Sequence, residues 1–282
     1  MKNERVASQV TSVHNVVMLA ALLGIGLTGS ISVAPTTSDT LAQRAQSGTV
    51  AFAAKQMPGT EQHANAAPHG LAGQFNFKVD GYYDQLRKKM NWLPVRYAGN
   101  LLKTPDAQSR ILLAQSAAQR AGLDEVGLSY RDVYGIINAE TTWIPRMGAS
   151  KDGTPNLGIA QFEPATAKAV GLVNPADPVE AVHAAALHLK DAAKWSAKRI
   201  AGLKLTPEQH ATKLREGVSI YYNLSTKGRN TWNGKNTAKL PIETRRHIAN
   251  ARLGAREAAE LSAQLRELKN RMGGERTVTA SN

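Results

Sequence analysis

The sequence predicts a mainly α-helical protein, and three observations lead to this fold class. From Ser129 onward, apolar residues recur at helical spacing, and no segment alternates convincingly between apolar and polar residues. Four prolines stand at or near the starts of the predicted helices, where a missing N–H breaks no hydrogen bond: Pro164, Pro178, Pro207 and Pro241. With 282 residues that are 42% hydrophobic, the chain can bury a core, which excludes a wholly disordered protein. The absence of cysteine excludes disulfides and cysteine-ligated zinc.

Residues 1–34 have the pattern of a signal peptide or a membrane anchor. A weakly basic start precedes Val16–Leu27, an unbroken run of 12 apolar residues, and an apolar core of about 7–15 residues is typical of a secretory signal. Ser32-Val33-Ala34 is the best cleavage site, although Pro35 follows it directly. The uncharged span 16–34 is also long enough to remain as an anchor in the inner membrane. A buried core helix is the alternative, which the glycines of this span disfavour. We therefore expect export to the periplasm or cell envelope.

The next two segments are a linker and a first ordered block. Residues 35–74 are rich in Thr, Ser, Ala, Gln, Gly and His without sustained helical periodicity, which predicts a flexible linker. Residues 75–124 are expected to form an N-terminal helical segment. Within it, amphipathic patterns predict short helices at Tyr82–Asn91 and Pro105–Ala121.

The helical pattern continues through residues 125–252, which we interpret as the main helical domain. The predicted helices there are Tyr130–Thr141, Pro164–Val170, Pro178–Ile200, Pro207–Tyr222 and Pro241–Leu253. Two long polar loops, Pro145–Asn156 and Ser225–Ala238, separate some of them, and such loops are usually functional or mobile.

Residues 253–282 predict a basic amphipathic C-terminal helix and tail. Leu261, Leu265, Leu268 and Met272 lie on one stripe, and Gly273-Gly274 is expected to end the helix. The stripe is expected to dock on the domain, with binding of a partner helix as the alternative.

The net charge of +13 is concentrated in the last third of the chain. Residues 190–282 contain 19 basic and 8 acidic residues. Such a surface favours an anionic partner, or it is a solvated face that only aids solubility. The sequence disfavours nucleic acid as the partner because the basic residues are spread over several elements, with few aromatic residues among them.

Glu140 is the first candidate for chemistry. It closes the apolar segment Val133–Ala139 and is followed by Thr141-Thr142-Trp143. Desolvation beside apolar and aromatic groups disfavours the ionised form of a carboxylate, which suits a general acid. The alternative is a glutamate at a helix end that points to water.

Three further segments follow Glu140 in order. They are Gly158-Ile159-Ala160-Gln161-Phe162 ahead of a Pro-Ala-Thr-Ala helix start, Tyr221-Tyr222-Asn223, and Leu240-Pro241-Ile242-Glu243-Thr244-Arg245-Arg246-His247-Ile248. Together with Glu140-Thr141-Thr142-Trp143, they resemble the catalytic domain of soluble lytic transglycosylases, which are lysozyme-like enzymes that cleave the glycan strands of peptidoglycan. The resemblance covers roughly residues 125–252. This chain departs from the family pattern at five positions: Thr141 replaces Ser, Ile159-Ala160 replaces Leu-Met, Tyr221 replaces Ala, and Ser225 replaces Gly.

The resemblance implies a lysozyme-like α-helical catalytic domain that uses neither cofactor nor metal. Glu140 would protonate the glycosidic oxygen between N-acetylmuramic acid and N-acetylglucosamine, and would then take a proton from the muramic 6-hydroxyl as that oxygen attacks C1. The product would be a 1,6-anhydromuramic end. The implied substrate-binding residues are Thr141, Gln161, Phe162, Tyr222 and Asn223, with Thr141 also orienting the acid. The implied supporting residues are Trp143, near the site or stacked on a sugar, and Glu243, close to the cleft.

Several other polar side chains are expected to have structural roles, and two alternative functions are compatible with the sequence. Glu163 is expected to cap a helix or to interact favourably with the helix dipole through its negative charge. The histidines, His188 and His247 among them, are expected to be packing or surface residues. One alternative function is a lysozyme-type hydrolase, which uses water and a second carboxylate, for which Asp152 is available. Another is a non-catalytic peptidoglycan-binding module. An enzyme of this family type could serve a secretion, conjugation or other envelope-spanning complex.

Overall fold

The computed structural model describes residues 81–150 and 152–278, with side chains up to residue 272. This part of the chain is mainly helical, as predicted. The helices are α1 (Gly81–Lys89), α2 (Ala107–Ala121), α3 (Tyr130–Thr141), α4 (Pro164–Ala169), α5 (Pro178–Ile200), α6 (Pro207–Asn223), α7 (Thr226–Asn230) and α8 (Ile242–Val278). The strands are β1 (Trp92–Tyr97), β2 (Asn100–Pro105), β3 (Gly148–Ala149) and β4 (Pro155–Asn156), and two single 3₁₀ turns span Asp124–Val126 and Thr237–Lys239.

The predicted export signal at 1–34 and the predicted linker at 35–74 lie outside the described residues. Among the helices of the described part, none is both long enough and apolar enough to cross a membrane.

Helix starts follow the local chemistry of the sequence. Pro164, Pro178 and Pro207 each stand in the first turn of a helix, as predicted, and Pro241 directly precedes α8. At the start of α3, the Ser129 side chain and the third helical residue form a reciprocal capping box, which satisfies backbone N–H groups that have no partner inside the helix. These signals explain why the bounds of α3 and α5 match their predicted bounds.

A β-hairpin occupies residues 92–105, inside the segment that was predicted to be helical. β1 and β2 pair antiparallel with Trp92 opposite Pro105 and Tyr97 opposite Asn100. The two-residue turn Ala98-Gly99 has φ angles of 48° and 81°, the left-handed pair that matches the twist of a hairpin. At the other end, the Thr104 hydroxyl donates to the carbonyl of Trp143 at 2.8 Å. The hairpin is therefore attached to the loop that follows α3.

α8 is one continuous helix, so the predicted break near Gly254 and the predicted stop at Gly273-Gly274 are both wrong. Gly254 lies where α8 crosses α3: a Cβ added there would come within 3.0 Å of the Cα of Gly135. The helix contact therefore requires a residue without a side chain, and the packing outweighs the roughly 1 kcal/mol helical cost of glycine.

The C-terminal stripe docks on the domain only along its first half. Leu261 is buried and Leu265 is half-buried, whereas Leu268 and Met272 are 45% and 63% exposed.

α3 is the central helix of the described fold and positions the candidate site. It packs against both α2 and α8, and all of its residues from Val133 to Ile137 are buried. Because α3 is buried from Asp132 to Ile137 and becomes half-buried from Asn138 to Glu140, Glu140 lies where the buried part of the helix meets the surface.

Candidate active site

Glu140 lies in the last turn of α3 with its side chain 16% exposed. The end of this helix is closed by the guanidinium of Arg146, which donates to the carbonyl oxygens of Thr141 at 2.7 Å and of Glu140 at 2.9 Å. Arg146 also stacks over the ring of Tyr97, 5.0 Å from its centroid, which connects this turn to the hairpin. The charge of Arg146 therefore stabilises the carbonyl end of the helix and fixes the backbone that positions the carboxylate.

The backbone around Glu140 contains most of the unusual conformations in the described residues. Four non-glycine residues of that part have a positive φ, and three of them surround the site: Thr142 at 52°, Trp143 at 65° and Gln161 at 51°. A β-branched residue such as threonine rarely adopts this region. Local strain of this kind is concentrated at functional sites, where the surrounding structure holds it in place.

Thr141 connects α3 to the second motif segment. Its side chain is fully buried, and its hydroxyl donates to the carbonyl of Ile159 at 2.8 Å. The hydroxyl does not face solvent, so it acts on Glu140 through the backbone and not by reaching a substrate. The substrate-binding role that the resemblance implies for Thr141 does not match this placement.

Thr141→Val is expected to lower the free energy of unfolding by about 1–3 kcal/mol, because it leaves the buried Ile159 carbonyl without its hydrogen bond. Urea unfolding followed by circular dichroism measures this loss. Thr212→Val, at an exposed position of α6, is the matched control and is expected to change stability by less than about 0.5 kcal/mol. Equal stability of the two variants would contradict the structural role of this hydroxyl.

Gln161 and Phe162 are held by the protein itself. The Gln161 amide donates to the carbonyls of Arg146 at 2.9 Å and Gly158 at 2.8 Å. Phe162 is 2% exposed and belongs to the core. Both residues therefore shape the loop beside Glu140, and Phe162 presents no exposed ring to a ligand.

Tyr222 joins the third motif segment to the second. Its hydroxyl donates to the carbonyl of Ala160 at 2.9 Å. Burial, and to a lesser extent the negative charge of Glu140, raises the pKa of Tyr222 well above its ordinary value. The hydroxyl therefore remains a protonated donor at neutral pH.

His247 is the site residue that sequence reasoning missed. Its Nε2 atom lies 2.8 Å from Glu140 Oε1, and its side chain is 6% exposed. The imidazole stacks parallel to the ring of Tyr222, with an interplanar angle of 16° and 6.5 Å between centroids. A lone histidine on a helix face is typical of core packing. Its position three residues after Thr244 in the fourth motif segment could have indicated its place in the site, because residues three apart lie on the same face of a helix.

The fourth motif segment was predicted to place Glu243 close to the site, but other residues of this segment face it. Glu243 is exposed on α8. Thr244 is buried, and its hydroxyl donates to Asn223 Oδ1 at 2.9 Å. The face of α8 that turns toward the site therefore contains Thr244 and His247, and Asn223 lies beside it at the end of α6.

Trp143 lies beside the site, the first of its two predicted placements, and Glu163 lies at a helix start as predicted but does not cap it. Trp143 is fully buried and packs on Tyr134 with 4.9 Å between ring centroids, so it is not available to stack on a sugar. Glu163 stands at the cap position of α4 without capping it, and instead accepts a hydrogen bond from the Ser150 hydroxyl at 2.6 Å. Asp152 is exposed in a turn, where the backbone N–H of Thr154 lowers its pKa.

His188 of α5 lies behind the site, in ring contact with Phe162, Tyr221 and Tyr222. Desolvation, and then the positive charge of Arg229, lowers the pKa of His188 from 6.5 to about 4. The folded protein therefore keeps this imidazole neutral, and the unfolded chain binds a proton more readily.

The free energy of unfolding is expected to fall as pH decreases from about 6.5 to about 4, because protons bind the unfolded chain preferentially at His188. His188→Phe is expected to remove this part of the pH dependence. Urea unfolding at about pH 7 and about pH 4.5 measures it, with the exposed His210→Gln as control. An unchanged pH dependence in His188→Phe would show that His188 is not the group responsible.

Within residues 81–150 and 152–278, no group of three or more His, Asp or Glu side chains is arranged to hold a metal ion. Comparison of the chain with protein-family models, with curated proteins and with solved structures found no match.

Proposed function

We propose that this chain is a peptidoglycan lytic transglycosylase, with a lysozyme-like helical catalytic domain at about residues 125–252 and Glu140 as its acid and base. One observation supports this most: the four motif segments, far apart in sequence, meet around a single carboxylate. Thr141 binds Ile159, Tyr222 binds Ala160, and His247 binds Glu140.

The proposed reaction needs one carboxylate. Protonated Glu140 gives its proton to the glycosidic oxygen as the bond from that oxygen to muramic C1 breaks. The muramic 6-hydroxyl then attacks C1, and its proton returns to Glu140. Atoms balance without water: one glycosidic bond is replaced by an internal 1,6-anhydro bond, and the leaving sugar gains a hydroxyl. Oε1 of Glu140 is engaged by His247, so Oε2 is the oxygen that exchanges this proton.

A hydrolase would use a second carboxylate to activate water. In the described part of the chain, the recorded partner of the Glu140 carboxylate is the imidazole of His247. Asp152, the candidate second carboxylate, is exposed, with its oxygen occupied by its own turn. This arrangement favours the one-carboxylate reaction.

Export is part of the proposal, since the substrate is outside the cytoplasm. The chain would act in the periplasm or cell envelope, with residues 16–34 as a cleaved signal or an inner-membrane anchor. A basic surface suits contact with an anionic wall polymer: Lys204, Lys213 and Lys235 line a surface concavity of about 680 Å³. Service to an envelope-spanning secretion or conjugation complex is compatible with this role.

Purified sacculi incubated with the protein test the proposal. The soluble products are treated with borohydride, which reduces free sugar ends and leaves anhydro ends unchanged. Soluble muropeptides with ends that resist reduction are expected. Reducible ends would instead identify a hydrolase, and sedimentation with sacculi without any product would identify a binding module.

A further inference from the structure

We propose that the exposed half of the C-terminal stripe of α8 is a docking site for an acidic amphipathic helix of a partner protein. The exposed half runs from Leu265 through Leu268 to Met272. Leu268 lies about 30 Å along α8 from His247. The inference therefore concerns a surface away from Glu140, and it does not depend on the proposed reaction.

α8 is longer than the helix on which it packs. Asn138 of α3 lies against Gly254 of α8. One turn earlier in α3, the Tyr134 hydroxyl donates to Glu257 Oε1 at 2.7 Å, so the two helices run antiparallel. α3 begins only one further turn away. Residues 266–278 of α8 therefore extend about 20 Å beyond it, and every side chain from residue 266 to residue 272 is exposed.

The exposed half continues the face that packs on the domain. The apolar positions from Ala258 to Met272 are separated alternately by three and four residues. Ala258 and Leu261 are buried and Leu265 is half-buried, whereas Leu268 and Met272 are 45% and 63% exposed. One face of α8 is thus covered in its first part and open in its second part. The open part retains the spacing with which helices pack on helices.

The width of the stripe favours a helix as its partner over a lipid surface. With 3.6 residues per turn, its four side chains span only about 60° of the helix circumference. A stripe with this narrow width and spacing is the seam of a coiled coil. A helix that lies on a membrane presents a broader apolar face with bulky residues.

The residues that border the stripe determine the charge of the partner. They are neutral or basic: Ser262, Gln264, Lys269 and Arg271. Arg271 pairs with Glu267 on the same helix, whereas Lys269 is in no ion pair within the described residues. A second copy of this chain would therefore place cations against cations. A helix with Asp or Glu beside its own apolar seam complements both the stripe and the positive charge.

Binding of synthetic helices to the full chain tests the proposal. One fluorescein-labelled peptide of four heptads has Leu at the seam positions and Glu at the flanking positions, and a second has Lys in place of each Glu. By fluorescence anisotropy, the wild type is expected to bind the Glu peptide at least about tenfold more tightly than the Lys peptide. Lys269→Glu combined with Arg271→Glu is expected to reverse this order. Equal binding of the two peptides, or binding of neither, would overturn the proposal.

The apolar contribution is tested on the same helix. Leu268→Ser combined with Met272→Ser is expected to weaken binding of the Glu peptide at least about tenfold. The matched control is Leu253→Ser, since Leu253 is 53% exposed on α8 outside the stripe, and it is expected to bind like the wild type. All three side chains are exposed, so both variants are expected to retain the fold, as circular dichroism would show. Undiminished binding by the double variant would contradict docking on the stripe.

Two further measurements address other occupants of the stripe. In sedimentation velocity without peptide, a wild-type dimer that dissociates in the Leu268→Ser, Met272→Ser variant would identify a second copy of the chain. Pelleting with phosphatidylglycerol vesicles that this variant loses and Leu253→Ser retains would identify an anionic lipid surface. Either result would overturn the assignment of the stripe to a partner helix.

Discussion

Glu140→Gln is expected to lower the release of muropeptides from sacculi by about 10²- to 10⁴-fold, the usual contribution of a general acid. The amide has nearly the shape of the carboxylic acid, but it has no acidic proton to give to the glycosidic oxygen. It can still accept the hydrogen bond from His247. The fold and sedimentation with sacculi are therefore expected to persist, as circular dichroism and a pelleting assay would show.

The control for this variant is Glu260→Gln, which makes the same change at an exposed position of α8. It is expected to release products at the wild-type rate. Turnover of Glu140→Gln within about tenfold of wild type would mean that another group is the acid, because the loss of a general acid costs at least about 10²-fold.

Gly135→Ala is expected to lower the free energy of unfolding by about 2–3 kcal/mol and to reduce activity in parallel. A Cβ at this position would lie 2.3 Å from the carbonyl oxygen of Ala251, a backbone atom of α8. The two helices must separate to accommodate it. Since α3 positions Glu140 and α8 positions His247, the same movement lengthens the hydrogen bond between them.

Helix propensity acts in the opposite direction, because alanine is favoured over glycine within a helix by roughly 1 kcal/mol. A lower free energy of unfolding in Gly135→Ala would therefore result from the contact between α3 and α8 and not from helix propensity. Gly202→Ala, where an added Cβ meets no atom within 4 Å, is the control and is expected to leave both properties unchanged. Wild-type stability of Gly135→Ala would contradict the close crossing of α3 and α8.

Local signals in the sequence predicted much of the helical framework. The bounds of α3 and α5 were predicted because a serine cap and a leading proline mark their starts. The hairpin at 92–105 was not predicted, since Leu93 and Leu101 are exposed at 48% and 68% and its strands do not alternate cleanly between apolar and polar residues. Tertiary contacts, such as the hydrogen bond of Thr104 with Trp143, hold it against the rest of the fold.

The sequence predicted that Glu140 and Tyr222 belong to one candidate site, but it did not predict which residues of α8 face them. Glu140 and Tyr222 lie together as the motif order implied. His247 escaped prediction because its partner is 107 positions away in sequence, and the rotation of α8 about its axis follows from the glycine crossing with α3. The same rotation places Thr244 inward and Glu243 outward, so motif letters alone do not identify which side chain faces the site.

The fate of solvent oxygen tests the central claim most directly. Sacculi are digested with the wild-type protein in water enriched in the heavy oxygen isotope, and the product masses are measured. If Glu140 is both acid and base for internal attack by the muramic 6-hydroxyl, the new muramic ends are anhydro ends and contain no solvent oxygen. Muramic ends that incorporate the heavy isotope would show that water attacks C1 and would contradict internal attack by the 6-hydroxyl.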